Sequence, residues 1–466
     1  MAESGLLERI RALPLAPETR QGAALREYGR DEGFARRGRR SAPDAVVVPR
    51  TVEEVQAVVR LAAELGTPIV PWGTGSSLEG QGLALHGGIT LDMREMNRLR
   101  RLLIDDFQVE VDAGITHPEL NRMLRPHGVF FPPNPGAPAT IGGMIGNNSS
   151  GSRAVKYGVT RDHVVALEVV LADGSLVRLG TRASKTSSGY DLVDLFVGSE
   201  GTLGIVTGAV LRVSPTPTVE RGLVARFDTV DAAAEVVRAV LGIGVRPASL
   251  ELLENSVAPV LAESSPLQPR PVATLLVACD GGEEAAVDSE IGAVTEVVAE
   301  FGGEIEATTR DQFRSIMSAR EQLGPAVVRA TGMPTLKLVD IAVPLSAFPD
   351  AVAFTRGVLD AAGLTGHVFG HAGDGNLHVL IATDSRDDAH WARASEAADE
   401  IVLGALALEG TITGEHGIGA GKRHLLRAEH GGAVDVMMAI KRSLDPKGIM
   451  NPGKILPDDA SVGVGS

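Results

Sequence analysis

Apolar residues along the chain fall into two alternating rhythms, short unbroken runs and stripes at helical spacing. Ala45-Val46-Val47-Val48 is a short apolar run and reads as a strand. Thr51 and Glu54 follow at capping-box spacing, Val52, Val55, Val58, Val59 and Ala62 share one helical face, and Gly66 ends the helix. Ile69-Val70 resumes as a strand and feeds a glycine-containing loop. Further strands are expected at 88–91, 108–112, 164–171 and 205–213, with a helix over 117–125. Ser214-Pro215-Thr216-Pro217-Thr218 closes this block as a domain boundary.

The rhythm then changes. Strands at 223–227 and 249–253 flank a helix at 230–241, and strands at 273–278 and 304–307 flank one at 283–301. A third round follows: strand 336–343, helix 347–362, strands 366–369 and 377–381, helix 389–407. Repeated strand–helix–strand units of similar length predict an antiparallel sheet carrying helices on one face. The predicted division is a polar helical extension over 1–40, a first domain over 41–218, a second over 219–421 and a C-terminal segment over 422–466, whose helix ends at Leu444-Asp445-Pro446.

Composition narrows the class. Lys and Arg number 44 against 59 Asp and Glu, a net charge of −15, which argues against nucleic acid as a partner. Cys279 is the only cysteine, so neither an internal disulfide nor a thiolate metal cluster can form. Residues 128–152 form the longest uncharged run, and prolines and glycines break it up too often for a membrane span. Arg36-Arg37-Gly38-Arg39-Arg40 sits late for a twin-arginine signal and reads as a solvated basic loop. Glycine is the outlier, 55 of 466 residues, about 12% against a typical ~7%.

Those glycines concentrate in three segments. Pro71-Trp72-Gly73-Thr74-Gly75-Ser76-Ser77 offers backbone N–H groups and hydroxyls that suit a pyrophosphate, although an ordinary glycine turn has the same composition. It is not the G-x-G-x-x-G dinucleotide fingerprint. Residues 132–151 are stiffened by proline and then dense in glycine, which suits either a planar cofactor lying against backbone or a structural Ω-type loop. Gly198-Ser199-Glu200-Gly201-Thr202-Leu203-Gly204 is a third glycine turn entering a strand. A second kind of chemistry gathers downstream. His371 and His378 flank a glycine-containing loop, and Glu415-His416 lies in the glycine-rich turn 413–419. Two imidazoles and a carboxylate make an open site for Zn²⁺, though histidines seven apart are also commonly unrelated.

The runs PWGTGSSLEG, FPPNPGAPATIGGMIGNNSSG and GSEGTLGIVT, with GHAGDGNLH, TGEHGIGAGKR and DPKGIMNPGK, resemble the vanillyl-alcohol-oxidase superfamily. The likeness is to its branch of FAD-dependent D-2-hydroxyacid dehydrogenases and covers residues 40–456 or so. It implies an α+β chain with a two-subdomain FAD-binding domain of the p-cresol-methylhydroxylase type and a cap domain for substrate. It also implies that Pro71, Gly73, Thr74, Gly75, Ser76 and Ser77 hold the FAD pyrophosphate. Thr140, Gly142, Gly143, Asn147, Gly151 and Gly158 would line the flavin and ribityl chain, Gly201 and Ile205 the adenine side, and Asn451 would also touch the cofactor. Residues 72–80 contain no histidine, so the FAD is expected to be non-covalent.

The same resemblance implies His371, His378 and Glu415 as ligands to Zn²⁺ or Mn²⁺, His416 as catalytic base, and Arg320 and Lys337 as partners of the substrate carboxylate. In the expected reaction the cation lowers the hydroxyl pKa of a 2-hydroxy acid, His416 takes that proton, and the Cα hydride passes to flavin N5. Leu380 and Gly324 stand where 2-hydroxyglutarate enzymes carry polar residues, so D-lactate is the expected substrate, ahead of D-2-hydroxyglutarate or glycolate. A non-redox alkyl-glycerone-phosphate-synthase-like enzyme is the other reading, and the glutamate and paired histidines argue against it. The acceptor expected is a cytochrome, a quinone or an electron-transfer flavoprotein. The expected setting is cytoplasmic or peripheral to the membrane, with a homodimer among the assemblies open to it.

Overall fold

The computed structural model describes residues 2–15, 17–31, 33 and 41–457. The basic run Arg36-Arg37-Gly38-Arg39-Arg40 lies outside them. Among the described residues the first half holds two larger sheets and a two-stranded pairing of Val129–Phe130 with Ser214–Pro215. One has four strands in the order Glu18–Arg20, Ala45–Val48, Ile89–Asp92, Ile69–Trp72, parallel except for the first pair. The other is antiparallel, ordered Leu99–Leu103, Gln108–Asp112, Ile205–Arg212, Val164–Val170, Leu176–Gly180.

The helix Val52–Leu65 begins and ends where its caps require. Thr51 accepts a hydrogen bond from the amide of Glu54, and Gly66 takes the left-handed conformation at φ 64°. The Glu54 carboxylate accepts from the amide of Arg50 instead of Thr51, so the reciprocal half of the expected capping box is displaced by one residue.

The N-terminal residues do more than extend the chain as helix. A helix over Ala2–Arg11 is followed by the three-residue edge strand Glu18–Arg20. Behind it Tyr28 is fully buried, donating its hydroxyl to Asp92 at 2.7 Å. Burial opposes ionisation of Asp92, but hydrogen bonds from Arg94 and Tyr28 outweigh it and hold the carboxyl below its ordinary range.

Beyond residue 218 a single antiparallel sheet of seven strands runs Glu304–Glu306, Val219–Phe227, Ala273–Gly281, Ser249–Leu253, Gly366–His371, Asn376–Thr383, Thr335–Ala342. Period-two alternation sends Leu223, Ala225 and Phe227 to one face, with Leu275 and Val277 beside them. The helices Val230–Gly242, Glu284–Glu300, Phe348–Ala361 and Asp388–Ala407 cover that face, as the strand–helix units predict. Val224, Leu276 and Leu380 point the other way and meet the shorter helices Val257–Ala262, Arg310–Glu321 and Leu323–Thr331. Both faces are therefore apolar, which explains why these strands read as unbroken hydrophobic runs. The C-terminal residues return to the first half: Met450 bridges to Ile69, and Lys441 donates to the carbonyls of Thr202 and Met450.

Candidate active site

One large cavity, about 590 Å³, runs between the two halves. At one end it is walled by backbone of the loop after Ile69–Trp72, where Pro71, Gly73, Thr74, Gly75, Ser76 and Ser77 all line it. Its floor is the short helix Ile141–Asn147, whose N-cap Thr140 accepts from the amide of Gly143. Gly142 packs on Ala113, where a Cβ would approach to 3.0 Å. Gly143 and Gly146 leave the helix surface bare toward the cavity, so a flat group can lie directly against the backbone. Gly151 has φ 130°, and a Cβ there would collide with the carbonyl of Asn134, so no side chain fits. Asn147, Gly201 and Asn451 complete this part of the lining. A glycine-bared, hydroxyl-edged trough of this size fits FAD.

Two expected cofactor contacts lie elsewhere. Ile205 is buried in the core beside Val170 and Met450, and its neighbours Gly204 and Val206 line the cavity instead, because strand residues alternate faces. Gly158 sits outside the cavity in a turn at φ 83°, close to the carboxylate of Asp162.

The other end of the cavity carries the titratable cluster. His371 ends the strand Gly366–His371, and a tight turn through Gly375 brings the chain back to His378. Both Nε2 atoms point at one oxygen of Glu415, Oε1, at 3.5 Å from His371 and 3.3 Å from His378. The other Glu415 oxygen accepts from Ser150 at 2.7 Å. Donor atoms of all three residues lie within 4.8 Å of one another, a set of two imidazoles and a carboxylate that fits a divalent cation. The ring of His416 stacks on His378 with centroids 5.2 Å apart. Its backbone carbonyl accepts from Gln81 and Asn147, so the turn that carries it is fastened to the cofactor side. Glu200 fastens the same turn by accepting from the amides of Ile418 and Gly419.

Two buried carboxylates that sequence reading passed over organise this cluster. Asp340 lies opposite His378 on the next strand. It accepts from the amides of Glu415 and His416, from Thr413 Oγ1 and from Asn376 Nδ2, at 2.7–3.0 Å. Burial opposes its charge, but His416, Lys422 and His378 hold it well below the ordinary range. Glu251 lies opposite His371 and takes its Nδ1 at 2.7 Å. Burial works against a charged imidazole, yet Glu251 outweighs it and pushes His371 up to about 10. The signal available in both cases was an acidic residue inside an otherwise apolar strand, SLELL and LKLVDIAV.

A carboxylate on Nδ1 with Nε2 presented to the donor set fixes an imidazole as a cation ligand. Replacing Glu251 with Gln is expected to weaken divalent-cation affinity by about 10–100-fold, read by competition with a chelating dye. Unchanged affinity would mean that Glu251 serves only its other partner, Arg320.

That partner, Arg320, reaches the cavity from the helix Arg310–Glu321. Its Nη2 meets Glu251 Oε2 at 2.5 Å, its guanidinium lies 5.1 Å from the Phe369 ring centre, and its Nε is buried without a hydrogen-bond partner. Around it Leu323, Leu338, Phe369 and Leu380 make an apolar wall, Leu338 and Leu380 directly opposite each other across two strands. Lys337 does not join them. Asp340 and Leu338 share one face of the strand, and alternation puts Lys337 on the other with Ile341, neither of which lines the cavity.

The family model described as FAD linked oxidases, C-terminal domain, matches residues 216–455, and that described as FAD binding domain matches residues 43–180. A probable mitochondrial D-lactate dehydrogenase of Danio rerio is 39% identical over 442 residues, covering 93% of this chain and 88% of that protein. The glycolate oxidase subunit GlcD of Bacillus subtilis is 37% identical over 428 residues, 90% of each. Among solved structures, p-cresol methylhydroxylase with substrate bound has the same α+β, two-part fold. Its TM-score is 0.78 at 18% identity, over 98% of this chain and 97% of that one.

Proposed function

The chain belongs to the FAD-linked oxidases, and from that premise we propose that it oxidises a D-2-hydroxy acid, D-lactate foremost, to the 2-oxo acid. The observation that carries this reading is the convergence in one cavity of a glycine-bared trough, the His371–His378–Glu415 donor set, His416 and the unsatisfied Nε of Arg320. FAD, held non-covalently in the trough, supplies a hydride acceptor. A divalent cation held by His371, His378 and Glu415 supplies Lewis acidity toward the substrate hydroxyl.

The chain's own residues do the rest. Arg320 offers its free Nε–H to the substrate carboxylate while Glu251 holds the guanidinium in place. His416 is half-buried, and loss of hydration lowers it to about 4, so near neutral pH its imidazole is uncharged and able to accept the hydroxyl proton. Its Nδ1 is buried with no hydrogen-bond partner. Asp340, at 4.0 Å from that nitrogen, favours the imidazolium that proton transfer creates. Leu323, Leu338, Phe369 and Leu380 exclude water and leave a second carboxylate without a donor.

Among the described residues no helix is long and apolar enough to cross a membrane. The proposed acceptor is a cytochrome, a quinone or an electron-transfer flavoprotein, and the proposed setting is cytoplasmic or at a membrane surface. The test is anaerobic bleaching of the flavin by D- and L-2-hydroxy acids. D-lactate is expected to exceed D-2-hydroxyglutarate in kcat/KM by about a hundredfold, the cost of leaving one buried polar group unpaired. A hundredfold preference for the dicarboxylate would overturn the substrate assignment, and no bleaching by any hydroxy acid would overturn the reaction.

A further inference from the structure

A second cavity, about 500 Å³, opens at the seam between the two halves, outside the site described above. Its walls carry Arg125 and Arg153 from the first half and Arg310 and Arg314 from the second, with His117 and one acidic residue, Glu220. That carboxylate is shared: Arg314 Nη2 lies 2.9 Å from one oxygen and Arg153 Nη2 3.6 Å from the other. Asp280, beside Arg153 at 3.4 Å, is already engaged by Lys156 at 2.6 Å and by the Tyr157 hydroxyl at 2.9 Å. Arg125 and Arg310 pair with no carboxylate among the described residues. Four guanidinium groups around one lining carboxylate repel one another, and in a chain of net charge −15 such an excess stands out.

A second observation points the same way. His117 is 6% exposed and lines this cavity. His117 opens the helix His117–Leu124, and Arg310 opens the helix Arg310–Glu321, so both helix N-termini add positive potential at the seam.

We propose that this cavity binds a small multivalent anion, a dicarboxylate or a phosphate, gripped by Arg125 and Arg310 from opposite halves. The shared chemistry is two or more anionic oxygens placed to satisfy guanidinium groups from both halves at once. This site is independent of the catalytic reading, and its test reads binding and not turnover.

The test is calorimetric titration of the full-length, FAD-loaded protein at constant ionic strength with succinate, inorganic phosphate and, as a monovalent control, acetate. Arg125→Ala, Arg310→Ala and the double variant are titrated alongside. Both arginines are exposed and without ion pairs, so the variants are expected to keep their FAD content and melting temperature in anion-free buffer. The expected result is saturable binding of succinate or phosphate that weakens at least tenfold in each single variant and vanishes in the double. Whichever probe binds more tightly identifies the anion class. Saturable binding of neither probe, binding of acetate as tightly as of either, or unchanged affinity in the double variant would each overturn the proposal.

Discussion

Glu415→Gln is expected to empty the proposed cation site and lower turnover by on the order of a thousandfold, the several kcal/mol that Lewis-acid stabilisation would contribute. The substitution is nearly isosteric, and its amide can still accept from Ser150, which holds the other Glu415 oxygen at 2.7 Å. What disappears is the charge at Oε1, toward which the Nε2 atoms of both His371 and His378 are turned. Those imidazoles hold the Glu415 carboxyl well below its ordinary range against the cost of burial, so it is ionised under all working conditions. A donor set whose carboxylate is replaced by an amide is a poor one for a hard divalent cation. Elemental analysis of purified protein should show the metal lost with FAD content unchanged. In the parent protein, chelator treatment should abolish dye reduction by D-lactate, and Zn²⁺ or Mn²⁺ should restore it. Metal-free protein turning over at the parent rate would remove the cation from the mechanism.

The residues of that donor set were recognisable in the sequence because their surroundings are hard to explain otherwise. A Glu-His pair inside a glycine-rich turn is poor core material, and His371 and His378 bracket a turn that must double back. Asp340 and Glu251 were hidden for the opposite reason. Each is one acidic residue in a run that otherwise reads as a buried strand, and its partners lie 36 or more residues away in sequence. The helix Ile141–Asn147 escaped notice because Gly142, Gly143 and Gly146 give it almost no intrinsic propensity, and it depends on the Thr140 cap and on packing of Met144 and Ile145.

Face errors have one cause. Ile205 and Lys337 were placed by resemblance of segment, and a strand segment says nothing of which face a residue takes until its neighbours are known. Val206 lines the cavity and Ile205 does not, and Leu338 lines it while Lys337 does not. The strand Glu18–Arg20 was too short to show any period at all. By contrast, the long strands and helices beyond residue 218 are buried on broad apolar faces, and their pattern fixes them within a few residues.

His416→Ala separates proton removal from binding more cleanly than any other change. The turn that carries His416 is held through its backbone: the amide donates to Asp340 at 2.9 Å, and the carbonyl accepts from Gln81 at 2.7 Å and Asn147 at 3.3 Å. Those bonds survive loss of the ring. The proposed cation donors are His371, His378 and Glu415, so metal content is expected to stay at the parent level, and the cofactor trough is untouched. The ring itself is the group proposed to accept the hydroxyl proton, uncharged because burial lowers it to about 4 and backed by the ionised Asp340. Removing a positioned general base costs about 10²–10⁴ in rate, so stopped-flow bleaching of the flavin by D-lactate should slow by that factor. Reoxidation of chemically reduced flavin by an artificial dye needs no proton abstraction from substrate and should proceed at the parent rate. Bleaching at the parent rate, with FAD and metal both bound, would assign the proton to another acceptor and leave His416 a packing partner of His378.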